Sequence, residues 1–289
     1  MEVVDLFCGC GGFSAGAIDA GAKVILGADN DSVPLKLWAA NVPGGRAKLV
    51  TLGKATNTLE LPPPSASLHI HSSPPCTDFS PARNGSVGSA AAADVEWSVQ
   101  VMRWALDLVL ERGDFSWSLE NVSTPTTRAV LADYTNRFPE RVAYATFDAA
   151  DFGACQTRCR LIAAPPRLIR ALQEMPSARR VSVREAFEKY GLEVPSSHFK
   201  NQTRNRDGTP CMRSVEEQAF TVCASHALTW CDREGKTVRV MTAPESAVLM
   251  GFSPEWRLPP GSRNAQRAVG NSMCVHLSRA ITQAAQMSV

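Results

Sequence analysis

The stretch "DLFCGCGGFSAG", Asp5 to Gly16, follows the apolar pair Val3 and Val4 and leads into a run of small residues. It reads as the end of a strand, a glycine-rich turn and the first turns of a helix. Glycines at such a turn permit positive φ and let a ligand approach the backbone, while the helix N-terminus offers unpaired N–H donors. A nucleotide-like cofactor suits that position. A dinucleotide fingerprint would need Gly9, Gly11 and a third glycine at position 14, which is Ser14, so a nicotinamide cofactor is the weaker match. Asp29 closes the next strand-like run, "KVILGAD", about 20 residues on, where a carboxylate can accept both hydroxyl hydrogens of a ribose. NAD and S-adenosylmethionine both carry such a ribose, so Asp29 does not separate them. An acid after a strand is also a common turn or cap residue.

Outward from the loop, short apolar runs alternate with helical ones: a second helix near Leu35 to Asn41, then "AKLVTL" and "SLHIHS". That alternation predicts βαβ units and an α/β fold with a doubly wound, mostly parallel sheet. Val95, Val99, Met102, Leu106 and Val109 mark one face of a long helix that stops at Gly113 and delivers the chain into "FSWSLEN". Two more strands, "RVAYATFD" and "RLIAAP", end near Pro165, where the texture turns to Pro, Ser, Arg and Asn and a domain boundary is expected. Capping boxes mark later helices: Ser182 with Glu185, and Thr242 with Glu245 before a stop at Gly251. Ser272 to Ala285 reads as a final helix.

The 289 residues are 44% hydrophobic, enough for a sizeable core and about two domains' worth of chain. Nine cysteines, no N-terminal signal segment and no membrane-length apolar run point to a reducing compartment, cytoplasmic or nuclear, without disulfides. No CxxC pair occurs, so no structural metal is expected. Net charge is only +2, yet residues 156–213 hold 12 Lys and Arg against 5 Asp and Glu, leaving 18 against 23 elsewhere. Such asymmetry suits a polyanion partner for one segment, or simply a solvated basic face.

Three polar clusters fall at strand ends, where open parallel sheets bind ligands. "PPCTDFS" places Cys76 just past the fourth strand, and "LENV" places Glu120 just past the fifth. A free cysteine is more often a small hydrophobe than a nucleophile, and position alone leaves both readings of Cys76 open. In "QTRCRL" the period of two sets Arg158 and Arg160 on one face and Cys159 on the other. Two permanently charged guanidiniums there need an anionic or carbonyl-rich partner.

Taken in order, "DLFCGCGGFS", "PPCTDFS", "LENV", "QTRCR", "MTAPESAVLMGF" and "VGNSM" resemble the DNA cytosine-5 methyltransferase family over residues 3–281. The resemblance implies an S-adenosylmethionine-binding domain over residues 1–165, completed by the C-terminal helix 264–289, and a small inserted target-recognition domain over 166–263. It implies transfer of a methyl group to C5 of a cytosine flipped out of double-stranded DNA, by a monomer and without a metal. Cys76 would be the nucleophile that adds to cytosine C6, Glu120 would grip the N3 and amino edge, Arg160 would hold O2, and Arg158 would support the loop or a phosphate. Phe7, Gly9, Gly11, Gly12 and Pro75 would surround the cofactor, with Asp29 on the ribose, Asn30 beside the adenine, and Asn271 and Ser272 closing the pocket. Ser80, Lys200, Arg204, Arg206, Arg213 and Thr221 would meet the nucleic acid, and the loop from Pro81 to Asp94 would be a lid.

The chain departs from the family pattern in places. Gly53-Lys54 stands where a Gly-Asp pair usually accepts from the adenine amino group, and Lys54 is a donor. Ser73 replaces a common glycine, Thr77 a glutamine and Cys155 a proline, and no arginine immediately precedes Glu245. Two rivals follow. One is a tRNA cytosine-5 methyltransferase, whose branch carries Cys-Phe-Thr where this chain has Ala219-Phe220-Thr221. The other is a non-catalytic regulatory homologue.

Overall fold

A computed structural model describes residues 1–53, 59–75, 89–114, 116–205 and 207–288, leaving out the side chains of 89–95. In chain order the first half runs β1 (Glu2–Leu6), α1 (Gly12–Asp19), β2 (Lys23–Asp29), α2 (Ser32–Asn41), β3 (Arg46–Leu49), β4 (Leu68–Ser72), α3 (Ser89–Arg112) and β5 (Ser116–Asn121). α4 (Pro125–Arg137), β6 (Ala143–Asp148), β7 (Cys159–Ala164) and α5 (Pro166–Glu174) follow. β1 to β7 form one sheet in the order β3-β2-β1-β4-β5-β7-β6, parallel except for β7, which runs antiparallel to both neighbours. The order reverses between β1 and β4, and an open α/β sheet leaves its crevice there.

The expected doubly wound architecture is present, and strand alternation builds it. On β1, Val3 enters one apolar cluster while Val4 and Leu6 enter the other; on β7, Ile162 and Ala164 face one way, Leu161 and Ala163 the other. α3 and α4 cover one face with Met102, Leu106, Val109, Val130 and Leu131. The opposite face carries α1 with Phe13 and Ala17, and the C-terminal helix α9, introduced below.

α3 begins at Ser89, so residues 89–94, expected within the lid loop, are helical. Alanine is the strongest helix former, and Ala90 to Ala93 read more naturally as a helix start than as loop. Lys54, Cys76, Thr77, Ser80, the rest of the lid loop to 88, and Arg206 lie outside the described residues.

Past α5, which packs on β6, β7 and α9, come α6 (Val183–Lys189), β8 (His198–Arg204), β9 (Pro210–Ser214), β10 (Thr229–Cys231), β11 (Thr237–Val240), α7 (Ala243–Leu249), α8 (Ser262–Asn271) and α9 (Val275–Met287). Both capping boxes are present, on α6 and α7. β8 to β11 form a second, antiparallel sheet in the order β11-β10-β8-β9. Its small core sets Trp230 edge-on to Phe187 at 5.6 Å and to Phe199 at 6.2 Å. The expected final helix is α9, starting at Val275 rather than Ser272, while the single helix expected over 264–289 is two, because Ser272 leaves helical geometry (ψ 155) between α8 and α9. Among the described residues no helix is long and apolar enough to cross a membrane.

α1 and α9 touch through glycine: a Cβ on Gly16 would lie 2.5 Å from Ser278 Cβ and 2.6 Å from Arg279 N. Gly16→Leu is therefore expected to cost about 1–3 kcal/mol or more by overpacking. A urea titration would show it as a lower midpoint at unchanged slope.

Candidate active site

A cavity of about 790 Å³ opens at the reversal point. Its wall is assembled from Phe7, Gly9 and Gly12 after β1, Asp29 and Asn30 after β2, Ser73 to Pro75 after β4, Glu120 on β5, and Asn271 and Ser272 from the α8–α9 junction. Residues far apart in the chain thus share one wall, as the strand-end reading expects.

The glycine loop takes its shape from positive φ at Phe7 (60°), Gly9 (52°) and Gly11 (94°). Phe7 pays for that conformation, since a side chain in the left-handed region is strained. Gly9 N donates to Asp29 Oδ2 at 2.8 Å, and Asp31 N donates to Oδ1 at 2.8 Å. Asp29 therefore holds the loop and still has acceptor capacity for hydroxyls. Burial raises its pKa. Gly12 is needed because the α8–α9 junction presses on it: a Cβ there would sit 2.9 Å from Ser272 Cβ. Gly11 does not line the cavity; its bare backbone makes room for Trp256, 2.8 Å from where a Cβ would be. The Trp256 indole also donates to Cys10 O at 2.9 Å.

At the other end, Arg160 Nε meets Glu120 Oε1 at 2.8 Å, with about an eighth of either side chain exposed. Glu120 faces the cavity with its second oxygen available. Arg158 behaves differently. It is buried, and its guanidinium donates to Val222 O at 2.8 Å, Gly270 O at 3.0 Å and Ser272 O at 2.9 Å. The carbonyl-rich partner expected for one arginine is thus found at Arg158, and the anionic one at Arg160. Both lie near Cys274, whose thiol is pushed up by burial and drawn down by the two cations. Burial likewise pushes Cys10 up to about 11 and Cys155 up to about 12, so neither is a ready nucleophile.

Of the residues expected to meet nucleic acid, the four that are described, Lys200, Arg204, Arg213 and Thr221, are engaged internally. Lys200 Nζ donates to Gly235 O at 2.6 Å, and Arg204 Nη1 to Gly208 O at 2.7 Å. Arg213 donates to Gln218 O at 2.9 Å and lies over the Phe220 ring at 4.2 Å, while Thr221 Oγ1 donates to Thr157 O at 2.7 Å.

Residue patterns miss several groups. The arginine absent before Glu245 comes from β11: Arg239 forks onto Glu245 at 2.7 and 2.8 Å, and Trp230 Nε1 adds a third donor at 3.2 Å. Asn264 and Arg267 extend the expected Asn271 into a polar stripe of α8 on the cavity wall, visible only as spacings of three and four. Asp5 also lines the cavity and accepts from Ser14 Oγ at 2.6 Å, while Ser14 Oγ accepts from Trp38 Nε1 at 2.8 Å. Its signal is a lone acid in an apolar strand, and burial pushes its pKa up to about 7.

A family model for C-5 cytosine-specific DNA methylases matches residues 1–167 and 171–287. The chain belongs to that family. Members are S-adenosylmethionine-dependent enzymes, and the methylase framework here is spanned end to end by relatives. The type II methyltransferase M.HindV of Haemophilus influenzae is 24% identical over 98% of this chain and 96% of its own. Among solved structures, a prophage-encoded E. coli protein described as a DNA modification methyltransferase superposes with a TM-score of 0.67 at 18% identity, covering 98% of both chains. Spodoptera frugiperda DNMT2 gives 0.58 at 14% identity over 99% of both. The methylase fold accounts for the strand order and for the cavity's place at its reversal.

Two measurements probe this wall. Arg158→Lys removes the planar fork that serves three carbonyls, and urea unfolding is expected to show a loss of about 1–3 kcal/mol. For Asp5 the folded pKa of about 7 lies above the ordinary 3.8, so the folded protein keeps a proton that the unfolded chain has lost. Stability then falls as pH rises through that window. Between pH 5 and 8 the wild type is expected to lose about 2 kcal/mol more than Asp5→Asn, read from paired urea titrations.

Proposed function

We propose that this methylase-family chain transfers a methyl group to C5 of a cytosine flipped out of double-stranded DNA, with Cys76 as nucleophile. The observation that carries the reading is the Glu120–Arg160 pair, at 2.8 Å, on the cavity that also holds the glycine loop and Asp29. Pro74 and Pro75 line the same cavity and run directly into Cys76 in the sequence.

S-adenosylmethionine, when bound, supplies an electrophilic methyl group on a positively charged sulfur. The cavity fits such a molecule. Gly9 has open space where a side chain would stand, Asp29 can accept from ribose hydroxyls, and Val33, Pro34, Val50 and Leu52 offer apolar wall for an adenine. Phe7, Gly12, Asn30, Pro75, Asn271 and Ser272 complete the enclosure, with Gly11 acting through Trp256.

Cytosine C5 is too electron-poor to attack a methyl group unaided. The Cys76 thiolate forms a bond to C6, and the C5–C6 π pair moves toward C5. Glu120, held by Arg160, places a proton at N3 and so neutralises the charge that develops in the ring. Arg160 donates to O2. C5 then takes the methyl, with the broken S–C pair left on a neutral thioether sulfur; loss of the C5 proton to solvent restores the double bond and expels the Cys76 thiolate, and the N3 proton returns to Glu120.

Segment 166–263 serves target recognition in this reading, with the four-stranded sheet as its core and residues 1–165 and 264–289 forming the catalytic domain. Flipping costs a few kcal/mol, which contacts around the vacated position must offset. Arg204, exposed on that sheet, can swing from Gly208 O to a phosphate, and Ser80, Lys200, Arg206, Arg213 and Thr221 are further candidates for nucleic-acid contact.

The test uses a tritiated methyl donor with duplex DNA, DNA containing 5-fluorocytosine, and tRNA. The expected result is label in duplex DNA and a covalent adduct with the fluorinated duplex, because fluorine cannot leave as a proton does. Cys76→Ser is expected to lower transfer by more than about 10³-fold and to abolish the adduct. Label only in tRNA would make the substrate RNA. Neither label nor adduct, with donor binding demonstrated, would make the chain a non-catalytic relative.

A further inference from the structure

β4 reads Leu68-His69-Ile70-His71-Ser72 in the middle of the large sheet, a place where buried parallel strands are ordinarily apolar throughout. Leu68 and Ile70 obey that rule and enter the α3–α4 core. His69 and His71, both fully buried, turn to the opposite face and stand directly across from Ser116 and Ser118 of β5.

Four hydrogen bonds join these groups into one chain. Ser116 Oγ meets His69 Nδ1 at 2.8 Å, and His69 Nε2 meets Ser118 Oγ at 2.9 Å. Ser118 Oγ meets His71 Nδ1 at 2.8 Å, and His71 Nε2 meets Ser73 Oγ at 2.7 Å. Phe13 lies flat on His71, with centroids 3.5 Å apart and planes within 3°. Phe13 and Ser73 both line the cavity.

Burial holds both imidazoles neutral. A neutral imidazole has one N–H and one bare nitrogen, and Ser118 has a single proton for two ring neighbours, so the donor sense at one end constrains the rest. The Ser116 end is buried, which makes the chain a poor proton conduit but a good carrier of polarity. Exchanging such mutually satisfied partners for apolar groups of similar shape is nearly neutral for stability. Folding therefore does not require the chain, and its one open end, Ser73, faces the cavity.

We infer that Ser73 contacts the sulfonium end of the methyl donor, and that His69, Ser118 and His71 are positioning residues that set the direction of its hydroxyl. This rests on the S-adenosylmethionine reading above. The glycine loop and Asp29 seat the nucleoside at the ends of β1 and β2, while Glu120 on β5 marks the site of the base. The positive sulfur joins these two ends and passes β4, where Ser73 follows the strand. A cation favours the sense in which Ser73 donates to His71 Nε2 and turns its lone pairs to the cavity. His71 is then the Nδ1–H tautomer, donating to Ser118.

Equilibrium binding of S-adenosylmethionine and of S-adenosylhomocysteine, whose sulfur is neutral, separates this role from a structural one. Ser73→Ala and His71→Phe are expected to weaken the charged ligand about fivefold and the neutral one less than about twofold. Ser73→Ala touches only the chain's open end and keeps the test sound if His71→Phe folds poorly. In the wild-type complex with S-adenosylmethionine, ¹⁵N-histidine NMR is expected to show His71 protonated at Nδ1. An equal loss for both ligands, no loss in Ser73→Ala, or a His71 Nε2–H tautomer would overturn the inference. A wild type that binds neither ligand would overturn the cofactor reading, and this inference with it.

Discussion

A guanidinium that cannot lose its proton and is shut away from water must be solvated by the protein itself. Arg158 meets that demand with carbonyls from two distant segments, Val222 on one side and Gly270 and Ser272 on the other. Its own backbone N–H donates to Asp148 Oδ1. One side chain thereby ties the start of β7, the segment around Val222 and the C-terminal wall of the cavity together. Arg160, two positions on and held in the β6–β7 ladder, presents itself to Glu120.

Neighbouring contacts extend that junction. The backbone of Thr157 and Cys155 pairs with Ala219, and Gln156 accepts from Val222 N while donating to Leu249 O. Farther on, Asn41 and Arg257 exchange two hydrogen bonds of 2.9 Å each, and Trp256 reaches Cys10. The segment between β11 and α8 therefore rests on the glycine loop as well as on β7.

What was legible in the sequence was local. The turn at Asp5–Gly16, the apolar strands and the two capping boxes declare themselves over a few residues, because each rests on a short-range rule. That Glu120 would line a strand-end crevice was legible too, since strand ends in a parallel sheet share one, but not that Arg160 alone would meet it while Arg158 turned to three carbonyls. The small sheet was not: β8 is polar along most of its length, β11 is exposed throughout, and β9 is half-buried at every residue, so none of the three shows a clean buried-exposed alternation. Nor could spacing show that Arg239 would take over a role usually filled beside Glu245, or that Lys200 and Arg213 would spend their donors on nearby carbonyls. Those are long-range choices, made by packing. The His–Ser ladder lies between these cases, with its alternation plain in the sequence and its pairing set by register.

The cavity wall has a consequence for synthesis. Cys10 and Ser272 touch at 3.0 Å although 262 residues separate them, and Gly12 is shaped to accept the same junction. On the ribosome, the glycine loop emerges long before its closing partner. Until Ser272 and α9 have emerged, the nascent chain carries an open half-pocket and an uncovered face on α1. In the function proposed above, a chain terminated before α8 would carry the groups assigned to the chemistry but lack the wall that closes the pocket on the methyl donor.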